Sequence, residues 1–244
     1  MNNLYLKTWS GLCNRLRVIA SFKEICNQPF NIVWTPDQLC DGKFTDVFEV
    51  LNDFPIHETV ERKDNMVWVD NGVQQFKANL TRSNITNIIK PNQKVWDRIK
   101  EIELPEEYNS IHVRWTDFPK RKRKPFIEFK NFITDSKLPV YVSCDDKKIW
   151  EELSNMFGSK LLGHSFFRET NELRSTDLLQ AVADLWICAD SKNFLGNRGS
   201  SFSDFIESLR TETFTLPPNQ FSDEEINLLN KYTQQLENLS LIHI

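Results

Sequence analysis

No apolar run in the sequence approaches the roughly 18 residues that a membrane-spanning helix needs, so no transmembrane segment is expected. The opening MNNLYLKTWSGLCNRLR lacks a basic region followed by an apolar stretch, so no signal peptide is predicted. Cys-x-x-Cys pairs are also missing. The five cysteines, Cys13, Cys26, Cys40, Cys144 and Cys188, are odd in number and read as buried or free thiols in a reducing compartment. A cytoplasmic protein is expected, in which the sequons at Asn79, Asn84 and Asn238 carry no weight. There is no G-x-G-x-x-G and no Walker loop, which argues against a dinucleotide cofactor. There is no Asp-x-Asp, and His57, His112, His164 and His243 are scattered, so neither a metal nor a cofactor is expected. A net charge of −4 argues against general nucleic-acid binding, and no nucleic-acid partner is expected.

What is present is an alternation of strand-like and helix-like segments, the signature of an α/β chain with parallel sheets. NLYLKTW reads as a strand running into the helix GLCNRLRVIASFKEI. Strands follow at 30–34 and 65–70, with TDVFEVL a short helix between them. NQKVWDRIKEIEL is a charged helix. The alternation restarts near PEEYNS, which places a boundary between domains at 1–105 and 106–244. The second domain reads SIHVRW, PFIEFKNFI, PVYVSC, DDKKIWEELSNMFG, SKLLG, STDLLQAVADLWICAD, NFLG and SSFSDFIESL, with a last amphipathic helix at 222–239. Two Rossmann-like halves separated by a cleft follow, with ligands at the carboxyl ends of strands.

Several positions stand where such a ligand would lie. Gly11 sits between strand and helix, where backbone N–H groups can meet a ligand. The other reading is that Gly11 only makes the turn, with Arg15 and Arg17 in solvent. Alternation puts Ile111 and Val113 on one strand face and His112 and Arg114 on the other. Arg114 suits a phosphate through its two-pronged fork, or a salt bridge between the halves to Asp145 or Asp146. One of those aspartates is expected to cap the helix beginning at Lys147. Asp177 and Gln180 resemble a capping pair. Asp184, mid-helix, either meets solvent or accepts hydrogen bonds from something specific, such as a guanine edge. The basic run KRKRK at 120–124 reads as a solvated loop or as a rim that attracts an anion. In GNRGSSFS, flexible backbone leads to Ser200 and Ser201 at a helix start, a preparation for an anion.

GLCNRLR at 11–17, HVRWTD at 112–117, SCDD at 143–146 and DLWICADSKNFLGNRGSSFS at 184–203, taken in that order, make the sequence similar to the superfamily of GDP-fucose-dependent fucosyltransferases. That group includes the protein O-fucosyltransferases, the α-1,6-fucosyltransferases and the rhizobial nodulation enzyme. FLGNRGSSFS resembles the protein O-fucosyltransferase pattern most. The resemblance implies two Rossmann-like domains in a GT-B-like arrangement, with a trimmed N-terminal domain on the acceptor side and GDP held mainly by the second. By the resemblance, Arg114 would contact the β-phosphate, Ser200, Ser201 and Phe202 would line the same phosphate, and Asp184 would read guanine. His112 would line the nucleotide pocket, and Asp145 and Asp146 would support it. Gly11, Leu12, Asn14 and Arg15 would approach from the first domain, with Asn14 and Arg15 beside Arg114 as catalytic residues. Two departures stand out. Trp115 replaces a second arginine, and Lys122 stands where α-1,6 enzymes place a glutamate base. Asp117 is the nearest candidate base.

The implied activity is inverting, metal-independent transfer of fucose from GDP-fucose to a glycan or protein acceptor hydroxyl. The alternatives are transfer from another GDP-sugar, a GDP-sugar-binding protein without transferase activity, and nucleic-acid binding through KRKRK.

Overall fold

The computed structural model describes residues 4–26, 28–64, 66–70, 80–116, 119–120, 123–163, 176–197 and 199–210. They divide between two compact units, the first formed by residues 4–44 and 50–89 and the second by 45–49 and 90–210. The expected helix at 222–239, Asp117, Lys122 and Arg198 lie outside the described residues.

The first unit is built on β1 (Leu4–Thr8), α1 (Leu12–Ile25), β2 (Asn31–Trp34), β3 (Ile56–His57), β4 (Val67–Asp70) and α3 (Arg82–Thr86). The helix between β2 and β3, α2 (Phe44–Val47), is a single turn at which the chain passes from the first unit into the second. The strands pair in the order β3-β2-β1-β4, every pair parallel. Parallel strands need covering on both faces, and β2 is buried at all four positions. α1 is buried through most of its length, with Leu16, Ile19, Ala20 and Phe22 in the core as their helical spacing predicts. Thr81 begins α3 by accepting the Asn84 N–H while Asn84 answers the Thr81 N–H, a reciprocal cap made with asparagine.

The second unit carries α4 (Gln93–Lys100), β5 (Asn109–Val113), α5 (Phe126–Asp135), β6 (Val140–Cys144), α6 (Lys147–Phe157), β7 (Leu161–Leu162), α7 (Leu178–Asp190), β8 (Phe194–Gly196) and α8 (Ser201–Arg210). The order is β7-β6-β5-β8, again all parallel. Ile111 and Val113 pack with Phe129, Ile133, Val140, Val142 and Leu153, which places the core under α5 and α6. Among the described residues, the predicted elements appear in the predicted order, and the first unit adds two that were not expected, β3 and α3.

The domain boundary moves. The second unit begins at Lys90, not near 105, because α4 belongs with it: Val95 is buried and Arg98 reaches Gln180 of α7 at 3.4 Å. The 45–49 segment joins the same unit, with Phe48 bridging Pro91 and facing the Trp186 ring at 6.4 Å. All five cysteines are buried. Among the described residues, no helix is long and apolar enough to cross a membrane.

Candidate functional site

Three strand ends of the second unit converge, as a parallel sheet dictates. Arg114 follows β5, Asp145 follows β6, and Asn197 follows β8. The Arg114 guanidinium donates to Asp145 Oδ2 at 2.9 Å, and its backbone N–H donates to Asn197 Oδ1 at 2.8 Å. Asp145, with 6% of its side chain exposed, also accepts the Trp115 N–H and the Thr116 hydroxyl, each at 2.8 Å. One carboxylate thus shapes the loop that presents Arg114 and orients its fork. The predicted ion pair exists, but both members lie in the second unit, which corrects the reading of a bridge between the halves. Asp146 is the cap, accepting the Lys148 N–H at 2.9 Å.

The turn after β8 brings α8 close. An added Cβ on Gly196 would lie 2.5 Å from Ser203 Oγ, so glycine is what lets the first turn of α8 approach the strand. Gly199 takes a left-handed conformation, φ +74. Ser200 donates its N–H to the Asn197 carbonyl, and its own carbonyl accepts from Asp204, which starts the helix. The α8 N-terminus then supplies unpaired N–H groups and the positive end of the helix dipole. Ser201 and Phe202 are half-buried there. His112 stacks on Phe202 with ring centroids 4.5 Å apart, and its Nδ1 is 2.8 Å from Ser203 Oγ. His112, Arg114, Asp145, Ser200, Ser201 and Phe202 therefore belong to one neighbourhood.

Burial, with the Arg114 charge adding to it, lowers the His112 pKa to about 3. The unfolded chain binds that proton at about pH 6.5. The unfolded state therefore carries the extra proton between these values, and stability falls as pH drops from about 6.5 towards 3. The melting temperature should decline over this window, and His112→Gln should flatten part of the slope. An identical slope in the variant would show that His112 is not the group responsible.

Asp184 accepts hydrogen bonds from specific donors, as one of its two expected readings holds. It is 2% exposed, and Oδ1 accepts from the Tyr141 hydroxyl at 2.6 Å and from Gln180 Nε2 at 2.7 Å. Oδ2 accepts from the Ser143 hydroxyl at 2.7 Å. The specific partners of this mid-helix carboxylate are the protein's own donors on β6 and α7. Both carboxylate oxygens therefore already serve the fold of the second unit. Asp177 caps α7 through the Gln180 N–H at 2.7 Å. The Gln180 side chain turns to Asp184 and not back to Asp177, so the reciprocal capping pair does not form.

In the first unit the turn after β1 is made by Ser10, not Gly11. Ser10 holds φ 78, rare for a residue with a side chain, while Gly11 is extended at φ −69. Asn14 donates to Ser10 Oγ at 3.0 Å and accepts from Arg17 at 2.8 Å. Arg15 is wholly buried, which overturns the solvated reading. Its three nitrogens donate to Ser10 O at 2.7 Å, Thr35 O at 2.7 Å and Asp37 Oδ2 at 2.6 Å, and the guanidinium lies 4.8 Å over Trp34. With each nitrogen engaged, Arg15 fastens two loops. Leu12 is buried in the core, and Asn14 remains half-buried at the turn.

No protein-family model matches the chain. Its sequence is 26% identical over 215 residues to GDP-fucose protein O-fucosyltransferase 2 of Plasmodium berghei (strain Anka), covering 82% of this chain and 41% of that protein. It is 33% identical over 119 residues to the protein of the same name from Plasmodium vivax (strain Salvador I), covering 44% and 24%. The fold is similar to that of a NodZ α-1,6-fucosyltransferase crystal soaked with GDP-fucose, at TM-score 0.61 and 13% identity, covering 86% of this chain and 93% of that one. NodZ from Bradyrhizobium gives TM-score 0.56 at 11% identity, covering 86% and 94%. The chain is thus similar in sequence to the GDP-fucose protein O-fucosyltransferases and in fold to the NodZ fucosyltransferases. It spans less than half the length of the two curated relatives.

Against that family, Trp115 was the notable departure, and its surroundings are informative. The Arg123 guanidinium lies 4.8 Å over the Trp115 ring, and Nη2 is 3.4 Å from the Thr116 carbonyl. At least this member of the basic run is docked on the Arg114 loop, not loose in solvent. Among the described residues no group of three or more His, Cys, Asp and Glu side chains is placed to hold a metal ion.

Reading the sequence missed Asn197, Ser10 and the Tyr141–Ser143–Gln180 set. Asn197 had a signal, since it stands at a strand end inside GNRGSS. Ser10 had none, because glycine next to it is the usual bearer of a left-handed turn.

Proposed function

We propose that the chain is an inverting, metal-independent glycosyltransferase that moves fucose from GDP-fucose to a glycan or protein hydroxyl. The observation that carries this reading is Arg114, aimed by Asp145 and tied through Asn197 to the turn that opens α8. Two kinds of cationic character, a guanidinium and a helix start, stand at one sheet edge where a pyrophosphate fits. The names of the relatives, and a neighbour soaked with GDP-fucose, support the nucleotide and the sugar. Two parallel sheets of like strand order, one in each unit, support a GT-B-like reading.

In this reaction the acceptor oxygen bonds to the sugar C1 as the bond from C1 to the β-phosphate oxygen breaks. GDP departs with the bonding pair, and the hydroxyl proton passes to a base or to water. Charge grows on the β-phosphate, and donors already in place stabilise it without reorganising. Arg114 and the N–H groups that open α8 from Ser201, with the Ser200 hydroxyl beside them, take that role, which another enzyme would give to a metal ion. His112 and Phe202 form an apolar, uncharged wall beside them. A second reading, a GDP-sugar-binding protein without turnover, is favoured by Trp115 standing where a second arginine is expected.

Thermal shift tests the nucleotide. GDP at about 100 times its dissociation constant should stabilise the chain by about 2.7 kcal/mol, several degrees in melting temperature, in the presence of EDTA. UDP should leave it unchanged. Equal stabilisation by UDP, or a GDP effect that EDTA abolishes, would sink the reading. Turnover dependent on acceptor separates the transferase from the binder.

A further inference from the structure

Asn197 is completely buried, yet its amide is only half used by the protein. Oδ1 accepts the Arg114 N–H at 2.8 Å, and the backbone carbonyl accepts the Ser200 N–H at 3.2 Å. Among the described residues, Nδ2 is buried without a hydrogen-bond partner. An unpaired buried donor is unfavourable, and native chains keep few of them. Holding the Arg114 backbone requires only an acceptor, so that contact does not explain the amide nitrogen. The donor stands where the Arg114 backbone meets the turn into α8, the place to which the two expected anion-binding elements are tied.

We propose that Asn197 is a further ligand-binding residue, whose Nδ2 donates to an oxygen of the bound nucleotide's diphosphate while Oδ1 keeps Arg114 in register with α8. A diphosphate oxygen is an acceptor of the right charge, and a modest side-chain adjustment on binding turns an orphaned donor into a charge-assisted bond. Asn197 then discriminates by phosphate and not by base. The inference rests on the nucleotide reading above and extends it by one residue.

The test compares GDP with guanosine on wild type, Asn197→Asp and Asn197→Ser by calorimetric titration, with melting temperatures alongside. Asn197→Asp keeps the acceptor for the Arg114 N–H and replaces the donor with an acceptor. It should bind guanosine as wild type does and GDP at least tenfold more weakly. Should the buried carboxylate unfold the chain, Asn197→Ser, uncharged and lacking the amide, carries the same comparison. Unchanged GDP affinity in the folded variant, or equal losses for GDP and guanosine, would overturn the inference. Failure of wild type to bind GDP would overturn the nucleotide reading itself, which is a different result.

Discussion

Arg114→Ala should lose about 10²–10³-fold in turnover at saturating donor, the usual cost of removing one preorganised donor to developing charge. Its melting temperature should change little. Asp145 would lose the guanidinium but keep the Trp115 N–H and the Thr116 hydroxyl, so the carboxylate is not stranded. Arg114→Lys retains a positive charge but loses the planar fork that serves Asp145 and a phosphate oxygen together, so it should be impaired nearly as badly. If the Arg114–Asp145 pair were purely structural, both variants would melt early and activity would fall only as far as folding does. Paired melting and turnover measurements separate the two, and a fully active Arg114→Ala protein would remove the residue from the mechanism.

The largest effect on stability is expected at Asp184. Replacing it with alanine leaves the Tyr141 and Ser143 hydroxyls and the Gln180 amide without their shared acceptor inside the second unit. Breaking a buried charged network from one side typically costs 3–5 kcal/mol, or about 10 °C for a chain of this size. Asp184→Asn keeps one acceptor oxygen but presents an amide to other donors, so it should fall between. In both variants GDP should still raise the melting temperature of whatever folds. An Asp184→Ala protein that melts like wild type but no longer responds to GDP would restore the carboxylate to the nucleotide site.

Much of the fold was legible because parallel α/β architecture repeats a simple pattern. IHV, VYVSC and NIVW are short apolar runs bounded by turn residues, and each is a buried strand. The candidate site was legible where it follows from strand ends and a helix start: Arg114 and Asp145 stand just past strands, and Ser200 stands where α8 begins. The partners of Asp184 and Arg15 were hidden for a shared reason. A charged residue in a helix shows its spacing in sequence but not its partners, and both found theirs far along the chain, Asp184 at Tyr141 and Arg15 at Asp37. The domain boundary moved because α4 reads as a charged surface helix until Val95 and Arg98 are seen against the second unit. Trp115 looked like a lost charge in one dimension; stacking by Arg123 is a tertiary event that the letters do not show.

Hydrogen–deuterium exchange with and without saturating GDP tests the central claim most directly, since it locates the bound anion without needing the acceptor. Protection is expected in peptides spanning 110–116 and 196–204, the Arg114 loop and the start of α8, and it should vanish in Arg114→Ala. Protection confined to other segments, or no protection in those two at a GDP concentration that stabilises the protein, would contradict the account.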